Sequence, residues 1–257
     1  MMLPIRDHNP SGRVPYITYS IIFVNCVIFF TYWGSINDPT IINDLFTSWA
    51  LTPSRLTQGY DSFTLLSSIF LHGGILHLAG NMLFLHIFGD NLEDQMGHFG
   101  FLVFYIFCGI GANIIYYFTT PMSSIPLVGA SGAIAGVMGG YLLLYPRARV
   151  DIILFILVFF KIISLRAWIV LSAWFLIQLA NGTILTSGES GVAYWAHIGG
   201  FAIGSILCIP TFIKLGSFNF WRNSSGYPPN PKADYETVKS AIPKVKKRII
   251  KNKSPWI

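Results

Sequence analysis

Between residues 17 and 213 the chain passes through one apolar stretch after another, and its charges fall mainly in the connections. A helix needs about 20 apolar residues to cross a bilayer, with a range of roughly 17 to 25. Six runs approach or meet that length: residues 17–33, 71–92, 99–119, 131–145, 166–181 and 192–213. Lipid offers no partners to backbone N–H and C=O groups, so such runs are restricted to helices unless they close into a barrel. Only 11% of residues are charged and 53% are hydrophobic, where a soluble domain carries about a quarter charged. The expectation is an all-α polytopic membrane protein, a bundle of six transmembrane helices over residues 17–213. A polar segment, 1–16, precedes it and a basic tail, 214–257, follows. Residues 150–165 are apolar and β-branched, but Lys161 and their short length make a poor span. They read as an interfacial or re-entrant connection, with a seventh span as the alternative.

Charge sets the orientation. Arg6 and Arg13 precede the first run, Arg147, Arg149, Lys161 and Arg166 follow the fourth, and ten of the seventeen Lys and Arg lie from Lys214 onward. The loops after the first, third and fifth runs hold one positive residue, Arg55. Cytoplasmic loops carry the excess of Lys and Arg, so both termini are expected in the cytoplasm. Beside a span, the dense patch from Lys244 to Lys253 suits anionic lipid headgroups rather than nucleic acid. No cleavable signal peptide or organelle presequence is evident, so the default location is a bacterial cytoplasmic membrane, with an organelle inner membrane as the alternative. Cys26, Cys108 and Cys208 all fall in apolar runs and make neither a disulfide framework nor a metal-ligand spacing.

Polar groups inside such runs are expensive and tend to be functional. Ser131 opens the fourth run in Gly129-Ala130-Ser131-Gly132, and His197 lies in the sixth, in Ala196-His197-Ile198-Gly199-Gly200. If Pro146-Arg147 marks the cytoplasmic surface, the fourth run covers about 22 Å of a ~30 Å hydrocarbon layer and leaves Ser131 roughly 7 Å below the outer boundary. The same rise puts His197 about 7–8 Å down, and His77 and Asn81 of the second run roughly 9 and 15 Å down. A hydroxyl and an imidazole are the minimum parts for nucleophilic acyl transfer. A serine opening a helix also has unpaired N–H groups beside it, at the positive end of the dipole, where an oxyanion is favoured. The short run obliges residues 119–128 to dip below the surface, which irregular backbone tolerates only against protein or a water-filled cavity. No Asp or Glu occurs in the fifth or sixth run and Asp151 lies on the wrong side, so the set would be a dyad.

Each residue also has a plainer reading. A transmembrane serine commonly bonds back to its own helix, and His197 alone fits a hydrogen-bonded core residue. His77 and Asn81, four apart on one face, fit a packing pair; His72 fits an interfacial position. His72 and His77 are five apart and face differently on a helix, which argues against a metal site. Glu93 fits a helix end or a local pair. Gly132 and Gly136, like Gly200 and Gly204, have the four-residue spacing that lets transmembrane backbones pack closely.

Three motifs in order give the chain a resemblance to the rhomboid family of intramembrane serine proteases, over roughly residues 16–213. They are His72-x4-His77-x3-Asn81, Gly129-Ala130-Ser131-Gly132, and Ala196-His197-x2-Gly200-x3-Gly204. The resemblance implies Ser131 as nucleophile and His197 as general base. It implies His77, Asn81 and the backbone N–H groups of Ser131 and Ala130 as oxyanion donors. It implies no cofactor, and single-span membrane proteins as substrates within the lipid bilayer. Two departures stand out. Position 135, where some members carry an aromatic under the histidine, is Ala135, and the Trp-Arg pair of some first loops is missing from residues 34–70. Two other readings remain: a catalytically silent rhomboid-like adaptor that binds transmembrane segments, and a transporter built on a broken helix.

Overall fold

A computed structural model describes residues 2–156, 159–184 and 192–224. Its strands and α-helices in chain order are β1 (Met2–Asp7), α1 (Tyr16–Tyr32), α2 (Pro39–Trp49), α3 (Pro53–Thr57), α4 (Thr64–Ser67), α5 (Ile75–Met96), α6 (His98–Thr119), α7 (Ser131–Leu144), β2 (Arg149–Ile156), β3 (Phe159–Arg166), α8 (Ala167–Ile184), α9 (Tyr194–Leu207), α10 (Ile209–Lys214) and α11 (Phe218–Ser224). Most of the basic tail, from residue 225 on, lies outside the described residues.

Among the described residues, four helical stretches are long and apolar enough to cross a membrane: Tyr16–Ser35, His98–Thr119, Ala167–Ile184 and Tyr194–Lys214. A fifth results if Thr64–Phe70 and α5 count together, but they are bent by 95°. The bend falls at Leu71-His72-Gly73-Gly74, so the second expected run begins its long helix four residues late. Two glycines there weaken the helix. The hydroxyl of Tyr32 also takes up the His72 backbone, accepting from its N–H at 2.8 Å and donating to its carbonyl at 2.9 Å. Helix α7, at 14 residues, rises only about 21 Å, short of a ~30 Å layer. It is buried along most of its length, against α5, α6 and α9.

The all-α expectation is corrected by a three-stranded antiparallel sheet of order β1-β2-β3. Residues 150–156 and 159–165 are not a seventh helical span; they belong to the strands β2 and β3, paired from Arg149↔Arg166 onward. Val150, Ile152, Ile153, Ile162 and Ile163 favour the strand because β-branched side chains suit a pleated surface. The N-terminal segment supplies β1, an edge strand, where Pro4 is tolerated, with an irregularity between Pro4 and Arg6. Asp151 ties the layers together, accepting from Arg6 Nε at 2.7 Å and lying 2.8 Å from His8 Nε2. Burial pushes the Asp151 carboxyl up, but the hydrogen bonds from Arg6 and His8 outweigh it and hold the group below the usual carboxylate range.

Glu93 does more than end a span or pair locally. Its carboxylate reaches the start of α1, accepting from the N–H groups of Ile17 and Thr18 at 2.8 Å each and from the Thr18 hydroxyl at 2.7 Å. Helix α1 has no side-chain cap from its own flank, since Pro15 stands at its N-cap. Glu93 therefore serves as a cap from 75 residues away, and it is 1% exposed. Replacing Glu93 with Leu leaves the two buried Thr18 donors unpaired, at about 1–3 kcal/mol for each. A lower unfolding midpoint in detergent is the expected result; an unchanged midpoint would remove this cap from the account of the fold.

Candidate active site

The geometry starts at Gly129. Its φ of +125° is one that L side chains rarely adopt, and a Cβ there would lie 2.8 Å from Cε1 and Nε2 of His77. Only glycine allows both the turn and the approach of that imidazole. Ala130 then takes helical geometry at φ −68° and ψ −8°, with a fully buried side chain, and α7 begins at Ser131. The preceding backbone is irregular at depth but not orphaned. Leu127 and Leu51 exchange both backbone hydrogen bonds, and the Gly129 N–H donates to the Ser68 carbonyl at 3.0 Å. The Ser68 hydroxyl in turn accepts from Asn113.

Helix α9 brings His197 to this start. Nε2 of His197 lies 2.9 Å from Oγ of Ser131, and Nδ1 lies 2.8 Å from Oε1 of Gln178 on α8. Trp174, one turn before Gln178, sets its ring beside the imidazole, with centroids 5.7 Å apart and planes at 35°. The pair meets because α7 and α9 run almost backbone to backbone. A Cβ on Gly200 would collide with the Gly132 carbonyl, and one on Gly204 with the Gly136 carbonyl.

The second motif faces the same space. His77 and Asn81 line a cavity of about 800 Å³ together with Ser131, His197, Tyr116 and Val128. Nδ2 of Asn81 is buried with no partner among the described groups, an unspent donor beside the start of α7. His72 stands behind, wholly buried, its ring edge-on to His77 with centroids 5.1 Å apart. It is a core residue. The other two histidines of the helices lie elsewhere, His86 stacked on Tyr19 and His98 on the Glu93 carboxylate. Among the described residues no three His, Cys, Asp or Glu side chains converge as metal ligands.

Two contacts of His197 escaped the sequence reading. The partner of Nδ1 is an amide, where a third member of the set would be expected to be a carboxylate. Gln178 is one of only two hydrogen-bonding side chains besides the tryptophans between Ala167 and Ala180, the other being Ser172. Its expense in an apolar run was the available signal. The aromatic missing at Ala135 has a counterpart in Trp174, on another helix.

The chain also has relatives by sequence. The Rhomboid domain profile matches residues 60–214. The chain is 30% identical to Rhomboid protease GluP of Bacillus subtilis (strain 168) over 79% of its length, and 30% identical to RHOMBOID-like protein 4 of Arabidopsis thaliana over 75%. It is 31% identical over 72% to the mitochondrial RHOMBOID-like protein 6 of the same plant. These alignments span 36%, 45% and 56% of the relatives' own lengths, so the chain corresponds to about half or less of most proteins it matches. A domain match over more than half the chain, with the three motif-bearing helices meeting around one cavity, makes this chain a member of the rhomboid family.

Proposed function

We propose that this protein is a serine endopeptidase that cleaves membrane-anchored proteins within or at the edge of the bilayer, using Ser131 and His197. The observation that carries this reading is the 2.9 Å approach of His197 Nε2 to Ser131 Oγ inside an apolar bundle. Ser131 Oγ attacks the scissile carbonyl as Nε2 takes its proton. The C–N bond then breaks and the imidazolium returns the proton to the leaving amine. Water attacks the acyl-enzyme by the same route, releasing the carboxylate and restoring the serine. Negative charge on the carbonyl oxygen is met by Asn81 Nδ2, His77 and the N–H groups at the start of α7, Ser131 with Ala130. A peptide bond within a helix has its carbonyl engaged by the N–H four residues on, so the substrates are single-span segments that fray near the cut.

In this reading α7 is the short central member of a six-span bundle over residues 17–213. We propose a bacterial cytoplasmic membrane, with the sheet and both flanking segments on its cytoplasmic side by the Lys and Arg bias and the basic tail against its lipid. The test is reconstitution of the purified full chain in liposomes with single-span reporter proteins, and mapping of any cut by mass spectrometry. Cleavage within or beside the reporter's span is expected. Binding of the reporter without any cut would instead favour a silent adaptor.

Asn81→Ala and His77→Ala should each lower kcat by about 10²-fold without abolishing it, since removing one oxyanion donor costs ~10²–10³ and backbone donors remain. Unchanged turnover in both variants would return the pair to a packing role.

A further inference from the structure

We infer that Gln178 is a positioning residue, holding the proton of His197 on Nδ1 and so leaving Nε2 free to take the proton of Ser131. This deepens the proteolytic reading and rests on it. Imidazole carries one proton when neutral, and its two nitrogens are then a donor and an acceptor. A base for Ser131 needs the acceptor at Nε2, 2.9 Å from Oγ, and therefore the proton at Nδ1. The atom facing Nδ1 decides this. Oε1 of Gln178, 2.8 Å away, can only accept, so it selects that tautomer. With its amide reversed, Gln178 would donate to Nδ1 and put the ring proton on Nε2, where it would point at the serine it has to deprotonate.

Packing around the pair limits the freedom of the ring. Gln178 is 8% exposed although it lies in an apolar helix, and a buried amide left without a partner is costly. Trp174 is on the same face one turn earlier and lies tilted beside the imidazole, which limits rotation of the ring out of the Gln178–Ser131 line. The choice of an amide follows from the medium. An ionised carboxylate at this depth would cost far more to bury than a neutral acceptor, while the amide performs the same orienting task. It stabilises the imidazolium less, so its contribution lies in the tautomer and the aim of the ring.

Gln178→Met keeps length and bulk and removes the acceptor; Gln178→Glu keeps the acceptor oxygen. Cleavage of the reporter by Gln178→Met should fall about 10- to 100-fold in kcat, by analogy with the loss when a partner that orients a metal-bound histidine is removed, with KM unchanged. Gln178→Glu should recover turnover. The decisive readout is ¹⁵N NMR of histidine-labelled protein in detergent, with the His197 signals identified by their loss in His197→Ala. Parent protein is expected to show protonated Nδ1 and bare Nε2, and Gln178→Met a shift of the proton towards Nε2. An unchanged tautomer and unchanged kcat in Gln178→Met would overturn the inference, as would an equal fall in kcat in Gln178→Glu with the tautomer intact. If the parent cleaves no reporter, the protease reading fails, and the tautomer still decides whether Gln178 sets the proton of His197.

Discussion

Ser131→Ala and His197→Ala should each reduce cleavage of a single-span reporter to background, a loss on the order of 10⁵–10⁶ in kcat. Neither group has a substitute. Among the described residues, Ser131 Oγ has one hydrogen-bond partner, His197 Nε2, and His77, which lines the same cavity, makes no hydrogen bond to it. Joining the two substitutions should cost little beyond either alone, because a nucleophile and its base act as a unit. A fluorophosphonate separates loss of chemistry from loss of fold. It should form an adduct at Ser131 in the parent, none in Ser131→Ala, and far less in His197→Ala, since the hydroxyl is a weak nucleophile without its base. Near-normal turnover in either single variant, or an adduct at another residue, would sink the proposed mechanism.

How far the sequence could be read depended on whether a residue's meaning was local. Ser131 and His197 stood out because a lone polar group in an apolar run is conspicuous, and helix rise alone set them at similar depth. Gly200 and Gly204 were legible through their spacing. The sheet was not. Residues 150–165 are apolar on both faces, which periodicity cannot assign between a strand and a buried helix, and β1 finds its partner some 145 residues away, as the Arg6–Asp151 pair shows. Glu93 reads locally as a helix end, and its service to Ile17 and Thr18 appears only once α1 and α5 are placed side by side. Gln178 combined both difficulties. It is an amide where the chemistry suggested a carboxylate, and its partner is 19 residues on.

The meeting of Ser131 with His197 depends on residues that take no part in the chemistry, and Gly200→Leu tests that dependence. A Cβ at position 200 would meet the carbonyl oxygen of Gly132, with the carbonyl carbon at 2.9 Å and Ala112 Cβ at 3.3 Å. The first two are backbone, which cannot turn aside as a flexible side chain could. Leucine adds three carbons beyond that Cβ, so α9 has to move away from α7. Gly132 follows Ser131 directly, and His197 stands one turn before Gly200, so the displacement falls on the turns that carry both groups. A misplacement of ~1 Å can cost about 10²-fold in rate, and a leucine demands more, so a fall of about 10³-fold or greater is expected. Overpacking also costs roughly 1–3 kcal/mol of stability, and the variant has to be compared while folded. Ala202→Leu provides the comparison: the same helix and the same added side chain, on an exposed position. It should keep near-parental cleavage and Ser131 labelling, whereas Gly200→Leu, still eluting as a folded species, should lose both. Full activity in Gly200→Leu would mean that α7 and α9 do not pack through this face, and the 2.9 Å approach of His197 to Ser131 would lose its structural support.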